Sequence, residues 1–516
     1  MTGGGLLALV QYGAQNVILS GNPQMSYFYK VFRRYTHFSQ ENTTIPLDGP
    51  NQLFFDQPIR LRAKIPRVAD LLSDIYFSFR IPDIYSKHVD PTLRTYDYEF
   101  KWVKYIGAAL IQRAIFSVGG QKIQEFDGAY LFSRALLDYD QDAFDKWKIL
   151  VGQTSELTAP EKGVYAGGTQ GVGYPNVFFD NSRSGTAQQN RPSIFGQDIH
   201  VPLSFWFAEA FSQALPLIGI QYQECEVTLD LNPINTLYTT LDVSGYRVAP
   251  GYKMAAPLAN ILNNLPEYAN YNDISGQIRN FLVDWGYSLP SLQTWFLNPR
   301  LQCTYVYLPD EERQIFASKH LSYLMYQVTQ YPFPGLYTRQ ILDLYTHNPI
   351  TRLLFYMTRS DSAQRNDIFN ISNWCTYPSP PFIPTPGLGP ADTQTSSSGI
   401  LAPQSQIDMI RNLRVLVNGN EIQEQKPTDY FTKIIPFRYV KGLSQSLLPI
   451  YVFNLGSPTT QPAGSINASR IQNFQVEVDV WPLPPNTTYT YDLVIYVESI
   501  NFFDVASGSG ALKYAL

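Results

Sequence analysis

"VGGQKIQEF" (Val118–Phe126) recurs further along the chain as "VNGNEIQEQ" (Val417–Gln425). Valine leads both, glycine stands third, and the triplet Ile-Gln-Glu follows; Tyr130 and Tyr430 come soon after. The stretch reads as a β-hairpin. Gly120 and Gly419 supply the positive φ of a tight turn, and Ile123 and Ile422 then return the chain to the core. Three more pairs recur in the same order: "SDIYFSFRI" (Ser73–Ile81) with "TRLLFYMTR" (Thr351–Arg359), "VPLSFWF" (Val201–Phe207) with "LPIYVFN" (Leu448–Asn454), and "CEVTLDL" (Cys225–Leu231) with "FQVEVDV" (Phe474–Val480). One echo is weak; four in matching order mean that one all-β unit is written twice. The separations differ between pairs, so the copies carry loops of different length. Each copy far exceeds the ~20–50-residue period of a solenoid or propeller. Two tandem β-sandwiches of roughly 200 residues are implied, and eight strands in two sheets, as in a jelly roll, suit each half.

Working outward, Cys225, Val227, Leu229 and Leu231 alternate with Glu226, Thr228 and Asp230, and Phe474 to Trp481 alternates in the same way. Period-two alternation marks strands with one wet and one dry face. Asp74–Ile81 and Tyr491–Ile500 are more continuously apolar and read as central strands. Pro (37) and Gly (33) are spread throughout, which suits many turns and excludes long helices. One helix is predicted over Asp127–Gly152, with Leu131, Ala135, Leu136, Phe144, Trp147 and Leu150 at helical spacing. A shorter one follows Pro309, where Asp310, Glu311 and Glu312 crowd a first turn and favour its dipole. Gly152–Gln197 and Pro378–Gln406 are loop-like in composition. The organisation expected is an N-terminal arm (1–25), a first jelly roll (26–235), a connecting segment (236–298) and a second jelly roll (299–516).

Composition narrows the function. In 516 residues, 44% are hydrophobic and 14% aromatic, ample for two cores. Charged residues are 16%, against a usual ~25%, which suits either a surface partly covered by partners or a loop-rich one of Ser, Thr, Asn and Gln. Net charge is −5 with no long basic run, so direct binding of nucleic acid is not expected. Lys30, Arg33 and Arg34 read as the solvated or interface side of a strand. Cys225, Cys303 and Cys375 lie far apart, which argues against disulfides and zinc and for buried free thiols in a reducing compartment. Gly5–Leu19 is apolar but interrupted by Gln11, Gln15 and Asn16, too short for a span and without a basic leader. The sequons at Asn42, Asn370, Asn467 and Asn486 are weak glycosylation candidates.

The motifs HExxH, GxSxG and GxxxxGK[ST] do not occur in the sequence. His37, His88, His200, His320 and His347 are scattered, as structural histidines are. No catalytic, cofactor-binding or metal-binding residue is assigned, no cofactor is expected, and an enzyme is not indicated.

The N-terminal stretch Gly4–Ser39 resembles the opening of the major capsid proteins of nucleocytoplasmic large DNA viruses, through Tyr12, Gly13, Ala14, Gln15, Gly21, Asn22, Pro23, Phe28, Arg33, Arg34, Thr36 and Phe38. Ser26 stands where that family more often has threonine. Tyr305–Ala317 resembles the start of the family's second domain. Pro462–Val478 and Ser507–Tyr514 resemble its end, with Ala468 and Gln472 in place of the usual Phe and Asp. The resemblance spans nearly the whole chain. It implies a double jelly roll and a homotrimer that serves as a pseudo-hexagonal capsomer in an icosahedral shell. It further implies contacts with neighbouring capsomers, penton and minor capsid proteins, an internal virion membrane beneath, and assembly in the host cytoplasm. The loops Gly152–Gln197 and Pro378–Gln406 would form an outer crown, and Gly3–Asn22 would lie beneath the trimer. Two other classes compete: a carbohydrate-binding or carbohydrate-cleaving β-sandwich, and a viral attachment or fibre protein. The first needs paired acids across a cleft and the second a stalk or repeat; neither is visible in the sequence.

Overall fold

In the computed structural model, the described residues are 3, 13–30, 32–85, 100–158, 192, 194–241, 247–254, 268–270, 276–283, 288, 290–373, 393–395, 401–403, 408–442, 447–456, 460–483 and 489–514. The chain forms two compact units, Met1–Ser39 and Gln40–Leu516. In the first unit the short helix α1 (Ala14–Ser20) has no buried residue, and no strand runs through the described residues from 26 to 38. Lys30, Arg33 and Arg34 are therefore not on a strand, contrary to the sequence reading. No described strand pairs with this stretch, so its backbone groups have no ladder to join. The first sandwich begins at Ser39 rather than near residue 26.

Among the described residues of the second unit, sixteen strands form the hydrogen-bonded paths of its four main sheets. The first eight are β1 (Ser39–Pro46), β2 (Ile59–Lys64), β3 (Leu71–Arg80), β4 (Ile111–Val118), β5 (Gln121–Phe126), β6 (Asp198–Pro202), β7 (Cys225–Leu231) and β8 (Arg300–Tyr307). The next eight are β9 (Leu321–Leu336), β10 (Gln340–Leu344), β11 (Pro349–Arg359), β12 (Ile410–Val417), β13 (Asn420–Pro427), β14 (Ile450–Val452), β15 (Phe474–Val480) and β16 (Tyr491–Ala506). Two sheets run β1-β8-β3-β6 and β2-β7-β4-β5, and two more run β9-β16-β11-β14 and β10-β15-β12-β13. Adding eight to every label of the first pair yields the second. This strand order is that of a jelly roll, and it occurs twice.

The likeness extends to irregularities. Ile123 is an extra residue in β5 and Ile422 in β13. Ser73 is extra in β3 and Thr351 in β11. Gln112 is extra in β4 and Arg411 in β12. A bulge bends and retwists a strand at one position, so its recurrence fixes residue equivalence more firmly than apolar pattern does. The hairpin turns also match. Gly119 and Gly120 have φ of 59° and 82°, and Asn418 and Gly419 have 51° and 78°, both type I′.

Local pattern explains most strands. In β2, Ile59, Leu61 and Ala63 are buried while Arg60, Arg62 and Lys64 face solvent. The more continuously apolar β3 and β16 are central in their sheets, as expected. The two cores merge into one apolar cluster.

Four expectations need correction. First, Arg300–Tyr307 does not open the second sandwich. It pairs with β3 from Arg300–Ser78 to Val306–Leu71 and closes the first. Residues 236–298 therefore lie between strands seven and eight of the first sandwich and are no connector between domains. Alternation shows that a strand has one dry face but not which sheet receives it. Second, the helix expected over Asp127–Gly152 is two: α2 (Gly128–Asp138) and α3 (Gln141–Leu150). Asp140 leaves helical geometry and caps α3 by accepting from the Ala143 N–H at 2.8 Å. Third, only part of Val201–Phe207 is strand; β6 ends at Pro202 and a helical turn spans Trp206–Ala208. Fourth, Ile123 returns to the core but Ile422 does not, being 43% exposed. The helix α4 (Asp310–Ser318) follows Pro309 as expected.

Candidate functional site

A cavity of about 130 Å³, lined by Val103, Tyr105, Phe132, Asn366 and Phe369 among others, falls below the ~300 Å³ of ordinary ligand pockets. Among the described residues no group of three His, Cys, Asp or Glu side chains is placed to hold a metal. His37 and His347 are exposed, His200 bonds Ser78 through Nδ1 at 2.7 Å, and His320 lies 3.6 Å from Asp504. Asp310, Glu311 and Glu312 occupy the first turn of α4. Cys225 and Cys303 are buried and free, and burial raises their thiols to about 11 and about 12. Asn370 is buried and bonded to Asp367 and Ser372, which disfavours it as a glycan site. Asn42 is exposed, and Asn467 caps the Ser469 N–H. His88, Cys375 and Asn486 lie outside the described residues, as does most of the two loops expected to form a crown.

The chemistry concentrates instead where the first sandwich seats on the second. Hairpin β4–β5 and helix α2 press on the sheet β9-β16-β11-β14. Asp127 caps α2 by accepting from the Tyr130 N–H (2.7 Å), and accepts from the Tyr496 hydroxyl of β16 (2.9 Å). One turn on, the Tyr130 hydroxyl donates to Glu498 of β16 (2.7 Å). At the far end of α2, Asp138 accepts two hydrogen bonds from Arg352 of β11, both 2.7 Å. Arg352 also donates to Glu498, and only 2% of its side chain is exposed. Burial alone would raise Asp138, but Arg352 and Arg134 more than offset this and hold its carboxyl below the usual range.

Around this ionic centre, side-chain amides bridge backbones. Gln124 donates to the Tyr326 carbonyl (3.1 Å), Gln327 to that of Ile123 (2.8 Å), and Gln213 to that of Leu324 (2.9 Å). Trp206 packs against Tyr323 and Phe503, each at 5.3 Å between centroids. The Gly442 N–H reaches the Leu137 carbonyl at 2.7 Å, and a Cβ there would sit 2.2 Å from the Leu136 oxygen, so only glycine permits the approach. Asn366 donates to the carbonyls of Asn235 and Tyr238, joining the 236–298 region to the second sandwich.

Sequence reasoning missed Arg352, Glu498, Asp138 and Tyr130 as a set. A signal existed: Arg352 and Glu498 interrupt the apolar runs "PITRLLFYM" and "LVIYVESI". A charge in the middle of a central strand requires a buried partner.

Asp127 offers a pH test. Burial pushes its carboxyl up to about 6, although Tyr130 and Tyr496 pull the other way. Its ionised form is disfavoured in the fold, so stability from this group is greatest below ~4 and is lost as pH rises through about 6. Asp127→Asn keeps the cap and is expected to gain on the order of 2 kcal/mol at pH 8. The gain should vanish near pH 4. Unfolding midpoints at both pH values check this; an equal gain at both would contradict it.

Two like jelly rolls in one chain, joined by a polar seam, define the double jelly-roll class of proteins. Residues 26–271 match the family described as major capsid protein N-terminus, and 312–511 match the large eukaryotic DNA virus major capsid protein. The chain belongs to the major capsid proteins of large eukaryotic DNA viruses. It is 23% identical to the major capsid protein of Phaeocystis pouchetii virus and 24% to that of Paramecium bursaria Chlorella virus 1, each over 99% of both chains. Its fold resembles a chain of the PBCV-1 virus capsid (TM-score 0.62, 18% identity, 95% of this chain and 100% of that one). It also resembles the Faustovirus major capsid protein (TM-score 0.60, 13% identity, 96% of each).

Proposed function

We propose that this capsid protein is a non-catalytic building block that works as a homotrimer, its six sandwiches forming a near-hexagonal capsomer. The repeated strand order carries the reading. Three chains with two like units each supply six similar bodies, so a threefold assembly can occupy a sixfold position in a lattice. Neighbouring capsomers, penton and minor capsid proteins are the partners in this reading, above an internal membrane, with Gly3–Asn22 as an arm beneath the trimer. No helix among the described residues is long and apolar enough to cross a membrane. The buried free thiols of Cys225 and Cys303 suit assembly in a reducing host cytoplasm.

The purified chain is expected to have three times its 58.6 kDa mass by light scattering, about 176 kDa. A monomer at micromolar concentration would overturn the trimer and favour a carbohydrate-binding role.

A further inference from the structure

The two sandwiches are alike in build but unlike in cover. Ile123 and Leu137, on the hairpin and helix that seat on the second sandwich, are each 1% exposed. The equivalent elements of the second sandwich are hairpin β12–β13 and the helical segment from Tyr430 through α5 (Ile435–Tyr439). These are bare: Ile422 is 43% exposed, Ile434 59% and Phe437 92%. Yet here the sequence repeats most faithfully. Ile123-Gln124-Glu125 and Ile422-Gln423-Glu424 are identical. Gln124 donates across the seam to the Tyr326 carbonyl and accepts from the Trp206 N–H of its own sandwich. Gln423 reaches the carbonyl of its own neighbour Glu424 and no other described residue. A core position needs only an apolar side chain; an identical polar one implies an identical contact.

The receiving side is also duplicated. The shared bulge makes Asp74 of β3 the equivalent of Arg352, and Thr304 of β8 the equivalent of Glu498. Asp74 is half-buried and has no ion pair among the described residues; burial alone raises its carboxyl. On the donor side, Asp138 ends α2, and the last turn of α5 carries Arg438. Arg438 is exposed and lies 5.6 Å from the ring of its own Tyr439. Where the seam within the chain has an acid on the helix and an arginine on the sheet, the open faces have an arginine on the helix and an acid on the sheet.

We infer that a second copy of this chain occupies the bare face. Hairpin β12–β13 and α5 of one copy seat on the sheet β1-β8-β3-β6 of the next, and Arg438 pairs with Asp74 of that copy. The contact repeats the internal seam with its charges exchanged. It is head-to-tail, and three such contacts alternate with three internal seams to close a ring. The inference rests on the trimer proposed above and assigns its interface.

The test uses the full chain with Asp74→Arg, Arg438→Asp, the double variant and Phe437→Lys, with mass read by sedimentation. Each single change is expected to shift the wild-type trimer to monomer at micromolar concentration, and the double charge exchange to restore it. Phe437 is already 92% exposed in the single chain, so its replacement leaves folding intact and isolates the interface. A trimeric wild type that is indifferent to all three single changes would overturn this inference alone. A double variant no better than the singles would overturn the Arg438–Asp74 pair. A monomeric wild type would overturn the trimer itself, and the interface with it.

Discussion

Arg352→Ala is expected to destabilise the protein by about 3–5 kcal/mol. The arginine lies between two carboxylates, Asp138 from the first sandwich and Glu498 from the second, with both partner side chains nearly buried. Removing it does not merely delete hydrogen bonds. It leaves Glu498 without its cation and Asp138 with Arg134 alone, two carboxylates facing each other in a place where water enters poorly. One must then take up a proton or the seam must open. Circular dichroism melts at pH 7 should register the loss. The deficit should shrink at pH 4 to 5, where protonation relieves the stranded acids. A variant that melts with the wild type would mean that water already reaches the site. Lysine at 352 should recover only part of the loss, because an ammonium cannot grip Asp138 by two parallel bonds while reaching Glu498.

Trp102→Ala is expected to cost about 3–5 kcal/mol, by a different route. Trp102 is fully buried in a short strand (Phe100–Trp102) that pairs with residues 238–240. Its ring meets Phe100 at 4.8 Å and Trp295 at 5.4 Å, both edge-on, and Phe100 continues the cluster to Tyr238 and Phe281. Its indole N–H has no hydrogen-bond partner among the described residues, so packing rather than polarity is lost. This cluster pins the long insertion between β7 and β8 to the first sandwich. The variant should therefore melt earlier and also be cut faster by protease within residues 236–298. Loss of stability without faster cutting there would show that the insertion is held by other contacts.

How much was legible in the residues can be judged at particular places. The hairpin at Gly119–Gly120 and its echo at Asn418–Gly419 could be read because turn chemistry is local: glycine, or asparagine beside it, adopts positive φ at little cost. The strands β7 and β15 were equally plain from alternation. The break between α2 and α3 was missed because Tyr139 and Asp140 interrupt a pattern that otherwise holds its spacing, and a capping aspartate resembles any other polar residue in a helix. Ile422 was misread for the opposite reason. Its local pattern equals that of Ile123, and only the element lying across the seam distinguishes them.

By itself, the order of residues determined that one sandwich is present twice, how its strands alternate and where its sharpest turns fall. These follow from side-chain period and backbone preference, which act within a few residues. The tertiary structure alone decided that Arg300–Tyr307 closes the first sandwich, so that residues 236–298 fall between its strands β7 and β8, and that Arg352 and Glu498 meet Asp138 and Tyr130. It also decided which of two equal hairpins is covered. Those outcomes depend on partners hundreds of residues away, and a strand's pattern records that it has a dry face but not what lies against it.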